Sequence, residues 1–139
     1  MNDSFYHDKI MALAKTRRDD KPLCGRGVLR ARLDNPLCGD SVQLSARGDA
    51  KNITRIAQEV RGCVLCGAAM RLILDIAARD SERAGLEMLC AEAENMFLQK
   101  RPAPALEIFS PVVAYPARHE CVLLPFRALA EIIKQTPPA

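Results

Sequence analysis

Apolar residues recur at every second position in two segments of the first half of the chain. Leu29, Ala31 and Leu33 alternate with arginines, and the same spacing returns over 42–46. A period of two is typical of strands that bury one face. We therefore predict two strands joined by a short loop, followed by a third strand over 53–61, where the alternation is less regular.

Helical spacing dominates the rest of the chain. Apolar residues spaced by three and four predict an amphipathic helix from residue 4 to about 17. The segment 64–78 is apolar on nearly every side, which is typical of a buried helix. Two more helices are predicted, one over 82–99 and one from near Cys121 onward. Between them, the proline-containing segment 105–118 is predicted to be a loop.

This order of elements predicts the fold class. Strands that come first and helices that follow favour an α+β fold, with a small antiparallel three-stranded sheet and helices packed on one face. The 139 residues fit one domain, 1–139, which is long enough to bury its own core. The proline-rich tail is predicted to fray from about residue 135.

Charge and hydropathy narrow the possible functions. The net charge is only +3, from 20 Lys and Arg against 17 Asp and Glu, and the basic residues are dispersed. A nucleic-acid partner is therefore not expected. No apolar stretch of about 18 residues is present and the start is polar, so we expect neither a membrane span nor a secretory signal. In the cytoplasmic location that we expect, cysteines serve packing, metal binding or reactivity rather than disulfides.

Three cysteines stand in short motifs that suggest metal or sulfur chemistry. Cys38 lies in the sequence Asn-Pro-Leu-Cys-Gly-Asp, where Gly39 permits an unusual φ and Asp40 would project to the same side as Cys38 in an extended segment. Cys63 falls where a strand passes into a helix, whose free N–H groups stabilise a thiolate. Cys121 opens the last helix. Thiolates suit zinc and iron, and a carboxylate adds a harder ligand.

Neighbouring residues leave alternatives open. Cys66 completes a Cys-x-x-Cys spacing with Cys63 and is either a fourth ligand or a core thiol. His119 and Glu120 offer an imidazole and a second carboxylate, but His119 is equally well explained as a surface residue. Cys90 lies on an apolar helical stripe and is expected to pack in the core.

At its three motifs the chain resembles the iron-sulfur cluster assembly scaffold family that includes IscU, SufU and the N-terminal domain of NifU. The family pattern N-x-x-C-G-D matches 35–40, G-C-x-x-x-x-A matches 62–68, and C-x-x-L-P/A-W/F matches 121–126. The three matches occur in family order, and the resemblance covers most of the chain from residue 4 to about 134. The run 115–118 is closer to the SufU type.

The resemblance implies a SufE/NifU-like fold in which three loops bring Cys38, Asp40, Cys63 and Cys121 together at one exposed end. It implies that these residues bind zinc or iron, or hold a transient [2Fe-2S] cluster. The implied partners are a PLP-dependent cysteine desulfurase, which supplies sulfur as persulfide to Cys121 or Cys38, and recipient apo iron-sulfur proteins. A non-enzymatic scaffold or sulfur acceptor is the first hypothesis. The alternatives are a zinc-dependent sulfurtransferase partner of the desulfurase and a structural zinc-binding interaction module.

The chain departs from the family pattern at two positions. Glu120 precedes Cys121, where IscU-type members have His and SufU-type members usually have Lys. Cys66 adds a thiol after the second motif, where most members have none. These two departures mark the residues whose roles the resemblance does not predict.

Overall fold

The computed structural model describes residues 8–136. In chain order the elements are α1 (Asp8–Thr16), β1 (Leu29–Asn35), β2 (Asp40–Gly48), β3 (Ile53–Arg61), α2 (Val64–Arg79), α3 (Arg83–Gln99), two 3₁₀-helices (Pro104–Ala114 and Pro116–Arg118) and α4 (His119–Gln135). The predicted α+β class is confirmed. The predicted start of the first helix, residues 4–7, lies outside the described residues.

The three strands form one antiparallel sheet in the order β1-β2-β3. Asn35 pairs with Asp40 at the end of the first hairpin, and Ser41 pairs with Arg61 beside it. The β1–β2 loop and the exit from β3 therefore lie next to one another. This register brings the first two cysteine motifs to the same end of the sheet.

Helices cover one face of the sheet. α4 packs against β1 and β2 and also contacts α2 and α3, while α1 packs on α2. The start of α2 is entirely inside: Leu65, Cys66, Ala68, Ala69 and Met70 are each 0% exposed. The sequence predicted this burial correctly for the first half of α2, whereas in the second half only Ile73 is fully buried.

Residues 17–24 wrap around the free edge of β3. The Asp20 backbone N–H donates to the Gln58 carbonyl at 2.8 Å, and the Gln58 N–H donates to Asp20 Oδ2 at 3.2 Å. Further along, the Leu23 N–H donates to Ser45 Oγ at 2.8 Å. Ser45 and Gln58 are polar residues that are nevertheless buried. Residues 17–24 cover them and form hydrogen bonds with them, which makes this burial possible.

The segment predicted as a loop, 105–118, is helical instead. It forms the two 3₁₀-helices, each with proline in its first turn, where the missing N–H costs nothing. Its buried side chains, Leu106, Phe109 and Val112, recur every third residue, which is the period of a 3₁₀-helix. The prolines excluded a regular α-helix but not this tighter one.

The last two described residues, Gln135 and Thr136, hydrogen-bond to other parts of the fold. The Gln135 side chain hydrogen-bonds both backbone groups of Arg30, and Arg83 Nε donates to Thr136 Oγ1 at 2.5 Å. The proline-rich tail predicted to fray, 137–139, lies outside the described residues, so the fraying stays a prediction. Among the helices that the structure describes, none combines the length and the apolar character needed to cross a bilayer.

Candidate metal centre

Three ligand atoms converge at the end of the sheet that carries the motifs. Cys38 Sγ, a carboxylate oxygen of Asp40 and Cys121 Sγ all lie within 4.8 Å of one another. They come from the β1–β2 loop, the first residue of β2 and the first turn of α4. Residues about 80 apart in sequence thus meet at one point, in a spacing that a single cation or a small cluster can bridge.

Cys38 is held in a tight turn rather than in an extended segment. The Cys38 and Gly39 N–H groups donate to the Asn35 carbonyl at 3.3 and 2.8 Å, and the Leu37 N–H donates to Asn35 Oδ1 at 3.1 Å. Gly39 has φ +78°, a left-handed conformation that favours glycine. The turn leaves Cys38 exposed to solvent at the tip of the hairpin.

Asp40 is a buried carboxylate with one oxygen free. The side chain is 4% exposed, and Oδ1 accepts the Cys63 backbone N–H at 3.2 Å. Within the described part of the chain, Oδ2 is buried without a hydrogen-bond partner. A buried anionic oxygen left unpaired is costly, and a bound cation would satisfy it.

Cys63 is the N-cap residue of α2, as the sequence suggested. A hydrogen bond from the Cys121 thiol lowers the pKa of Cys63 to about 7; backbone N–H groups of Leu65 and Cys66 help, while burial and the Asp40 carboxylate oppose. The half-buried Cys63 is therefore the thiolate of this pair near neutral pH.

Cys121 is its buried counterpart. It is the third residue of α4 and only 2% exposed. The hydrogen bond with Cys63 raises the pKa of Cys121, and burial and the negative charges of Cys63 and Asp40 add to the effect. Without a metal ion Cys121 therefore keeps its proton.

Cys66 lies inside the protein beside the site. Its side chain is 0% exposed, and burial raises the pKa of its thiol, with the nearby charges of Asp40 and Cys63 adding to the effect. Cys90 is a core residue, as expected: it is 7% exposed and its Sγ donates to the Phe126 carbonyl at 3.3 Å.

His119 and Glu120 point to other partners. His119 Nε2 donates to the Val113 carbonyl at 2.9 Å, and its ring packs edge-on against Phe97 with centroids 4.9 Å apart. Glu120 forms an ion pair with Arg127, which also binds Glu94. The structure therefore does not bring these two predicted alternatives to the converging ligands.

Two features, one at the site and one beside it, were not predicted from the sequence. A Cβ on Gly62 would stand 2.6 Å from Asp40 Oδ1, so glycine is needed there to admit the carboxylate. Arg17 reaches under the start of α2, donating to Gln58 Oε1 at 3.3 Å and lying 3.3 Å from the place where a Gly67 Cβ would be. The Gly62-Cys63 pair of the second motif was a signal for the role of Gly62. No local sequence pattern predicts the position of Arg17.

We compared the chain with known proteins by family model, by sequence and by structure. No family model matches the chain. It is 30% identical over 117 residues to the iron-sulfur cluster assembly scaffold protein IscU of Streptococcus pyogenes serotype M1, covering 81% of this chain and 74% of that protein.

Solved structures agree with this relative. The N-terminal part of a NifU-like protein from Brucella abortus superposes with a TM-score of 0.85 at 27% identity, over 96% of this chain and 94% of the other. A SufU protein of the SUF system of Fervidobacterium islandicum AW-1 gives 0.77 at 25% identity, over 93% and 96%. Sequence and fold thus point to the same group of proteins.

Proposed function

Because this chain belongs to the iron-sulfur cluster assembly scaffold family of IscU, SufU and NifU, we propose that it holds iron and a nascent [2Fe-2S] cluster at Cys38, Asp40, Cys63 and Cys121. Two observations on Asp40 carry the assignment. One carboxylate oxygen lies within 4.8 Å of the Cys38 and Cys121 sulfurs, and Oδ2 is buried with no hydrogen-bond partner among residues 8–136. Without a bound cation this buried carboxylate would lower the stability of the folded state, because one of its oxygens lacks a hydrogen bond.

The mixed donor set suits transient binding. Three thiolates favour zinc or cluster iron, whereas a carboxylate is a harder ligand that exchanges more readily than a fourth thiolate. Asp40 is therefore the position at which we expect a bound cluster to open first. A scaffold needs such a position, because it must pass the cluster on to a recipient apo-protein.

Accessibility favours Cys38 as the point where sulfur enters. Cys38 is exposed at the tip of the hairpin, whereas Cys121 is 2% exposed. Leu37 beside it is 94% exposed and offers an apolar contact to the desulfurase that would deliver the sulfur. The Cys38 thiolate attacks the terminal sulfur of the partner's persulfide; a new S–S bond forms, and the partner's cysteine leaves as a thiolate.

A zinc-dependent sulfurtransferase is the second candidate from the same site. Three cysteines and one aspartate also satisfy a single tetrahedral zinc ion, which the free Asp40 oxygen would complete. The structural zinc module has less support, because the sheet and helices share a continuous apolar core and do not need a metal to bury it. All six cysteines are unpaired, which supports a reducing, cytoplasmic setting.

Anaerobic reconstitution separates these functions. The metal-free protein is incubated with ferrous iron, L-cysteine and a cysteine desulfurase, and visible absorbance is followed. We expect cluster absorbance in the wild type and in the controls Cys24→Ser and Cys90→Ser, and its loss in Cys38→Ser and Cys121→Ser. Faster desulfurase turnover with zinc bound, but no cluster absorbance, would favour the sulfurtransferase. If neither occurs, both functions are wrong.

A further inference from the structure

Cys63 and Cys66 face each other across the first turn of α2. Cys63 is the N-cap residue, so Cys66 occupies the third helical position. Side chains at these two positions lie next to one another, as in a capping box, where each reaches the backbone of the other. Here the two thiols are close enough that the charge of Cys63 raises the pKa of Cys66.

The two thiols differ in access. Cys63 is half-buried and borders the converging ligands, whereas Cys66 is 0% exposed and lies behind it. A Cys-x-x-Cys pair at a helix N-terminus is the arrangement in which one cysteine reacts with an incoming sulfur species and the second displaces it. Packing alone accounts for Cys90, which lies between α3 and α4 and binds the Phe126 carbonyl; Cys66 stands against the reactive site instead.

We propose that Cys66 is the resolving thiol that converts a persulfide on Cys63 into sulfide. The proposal rests on the proposed function, since sulfur must first reach the site. Sulfur that enters at Cys38 can pass to Cys121, whose Sγ lies within 4.8 Å of Cys38 Sγ. It then reaches Cys63, to which the Cys121 thiol is hydrogen-bonded. Sulfide, rather than persulfide sulfur, is the form in which sulfur bridges iron in a cluster, so a reduction has to occur at this point.

The step is a thiol–disulfide exchange. The Cys66 sulfur attacks the inner sulfur of the Cys63 persulfide, a Cys63–Cys66 disulfide forms, and the bond to the terminal sulfur breaks. The terminal sulfur leaves as hydrosulfide with the proton from Cys66. It gains two electrons from the two cysteine sulfurs, which become the disulfide; a dithiol reductant then restores both thiols.

The ligand geometry accommodates this oxidised state. Cys38, Asp40 and Cys121 converge within 4.8 Å without requiring Cys63. Iron can therefore stay on these three residues while Cys63 is in the disulfide. Reduction returns Cys63 to the site as the remaining ligand, so sulfide release and completion of the ligand set occur in a fixed order.

A single-turnover experiment tests the proposal. Metal-free wild-type protein is loaded by brief exposure to inorganic polysulfide, freed of excess reagent and kept without air or reductant. Intact mass records the added sulfur atom, a dye assay records sulfide, and peptide mass mapping identifies disulfides. Cys66→Ser and Cys66→Ala are compared with Cys90→Ser, which also alters a buried thiol but away from the site.

We expect the wild type and Cys90→Ser to release about one sulfide for each persulfide lost and to form the Cys63–Cys66 disulfide. Both Cys66 variants should keep the persulfide on Cys63 and release sulfide about tenfold more slowly or less. Unchanged release in the Cys66 variants, or a disulfide from Cys63 to Cys121, overturns the resolving role alone. Failure of the wild type to take up sulfur at all contradicts the sulfur-acceptor function itself.

Discussion

Gly62 leaves open the space that the Asp40 carboxylate occupies. A Cβ on residue 62 would stand 2.6 Å from Asp40 Oδ1 and 2.7 Å from Cγ, closer than folded proteins allow. The next residue, Cys63, donates its backbone N–H to the same oxygen at 3.2 Å. The first two motifs, more than 20 residues apart, are therefore a single structural unit in which each requires the other.

Gly62→Ala is expected to push Asp40 out of its position. The added methyl group cannot be accommodated without moving the carboxylate, so the folded state should lose about 1–3 kcal/mol. The affinity for zinc should fall together with the stability, since Asp40 no longer faces the two thiols. Thermal unfolding and a competition assay with a zinc chelator measure the two effects.

Gly85→Ala is the matched control for this substitution. Gly85 lies in the first turn of α3, and its Cβ would meet only Asp80 Oδ2 at 3.8 Å, an ordinary contact. Alanine there should be neutral or stabilise the protein by about 0.5–1 kcal/mol, with zinc affinity unchanged. Equal zinc affinities of Gly62→Ala and the wild type would contradict the dependence of the site on this contact.

Asp40→Ala is expected to make a bound cluster last longer. It removes the ligand that exchanges most readily and leaves the thiolates, so transfer of the cluster to an apo-ferredoxin should slow several-fold. Circular dichroism in the visible range follows the transfer. Asp34→Ala, a change of an exposed carboxylate on β1, should leave the transfer rate as in the wild type. A transfer rate equal to the wild type would show that Asp40 does not control release, and faster transfer would show that it holds the cluster instead of releasing it.

The reactivity of Cys63 should depend on pH around neutrality. Its pKa of about 7 means that, in metal-free protein, half of this thiol is ionised near pH 7, and alkylation should slow as the pH falls below that value. Cys121→Ala removes the hydrogen-bond donor that lowers this pKa, so the midpoint should move to higher pH. Alkylation with iodoacetamide, quantified on the Cys63 peptide, gives both profiles.

Unfolded protein supplies the reference for that experiment. In denaturant Cys63 should titrate as an ordinary thiol, with a pKa of about 8.5. An identical midpoint in folded wild type, folded Cys121→Ala and unfolded protein would contradict the hydrogen bond between the two cysteines.

Glu120→Gln and His119→Ala should leave metal affinity unchanged. Glu120 is engaged by Arg127 and His119 by the Val113 carbonyl, both away from the converging ligands. Loss of the Glu120 charge should cost less than about 1 kcal/mol because the pair is partly exposed. His119→Ala should cost about 1–2 kcal/mol through its hydrogen bond and its contact with Phe97. A weaker zinc affinity in either variant, with stability equal to the wild type, would assign that residue to the site.

Much of the fold around the candidate metal centre could be predicted from the sequence. The alternation in β1 and β2 predicted the hairpin, and the three motifs predicted which residues would share its end. Ligand atoms of Cys38, Asp40 and Cys121 lie within 4.8 Å of one another there, and the group does not include Cys63. The sheet register places the first two motifs side by side, and binding of a metal by these residues stays a prediction.

The partners of side chains that are distant in sequence could not be predicted from the sequence. The orientations of His119 and Glu120 depend on Val113 and Arg127, and several side chains of either type could have been their partners. Arg17 lies beside the first half of α2 because residues 17–24 wrap the edge of β3, which no local pattern predicts. The 3₁₀-helix over Pro104–Ala114 was predictable in principle from the period of three in Leu106, Phe109 and Val112.

The most direct test of the account is the metal and sulfide content of protein purified without air. We predict iron or zinc in the wild type and in Cys24→Ser at about one site per chain, and little of either in the double variant Cys38→Ser with Cys121→Ser. Sulfide should accompany iron and be absent with zinc. A wild-type protein free of both metals, or a double variant with the same metal content as the wild type, would contradict a metal centre at Cys38, Asp40, Cys63 and Cys121.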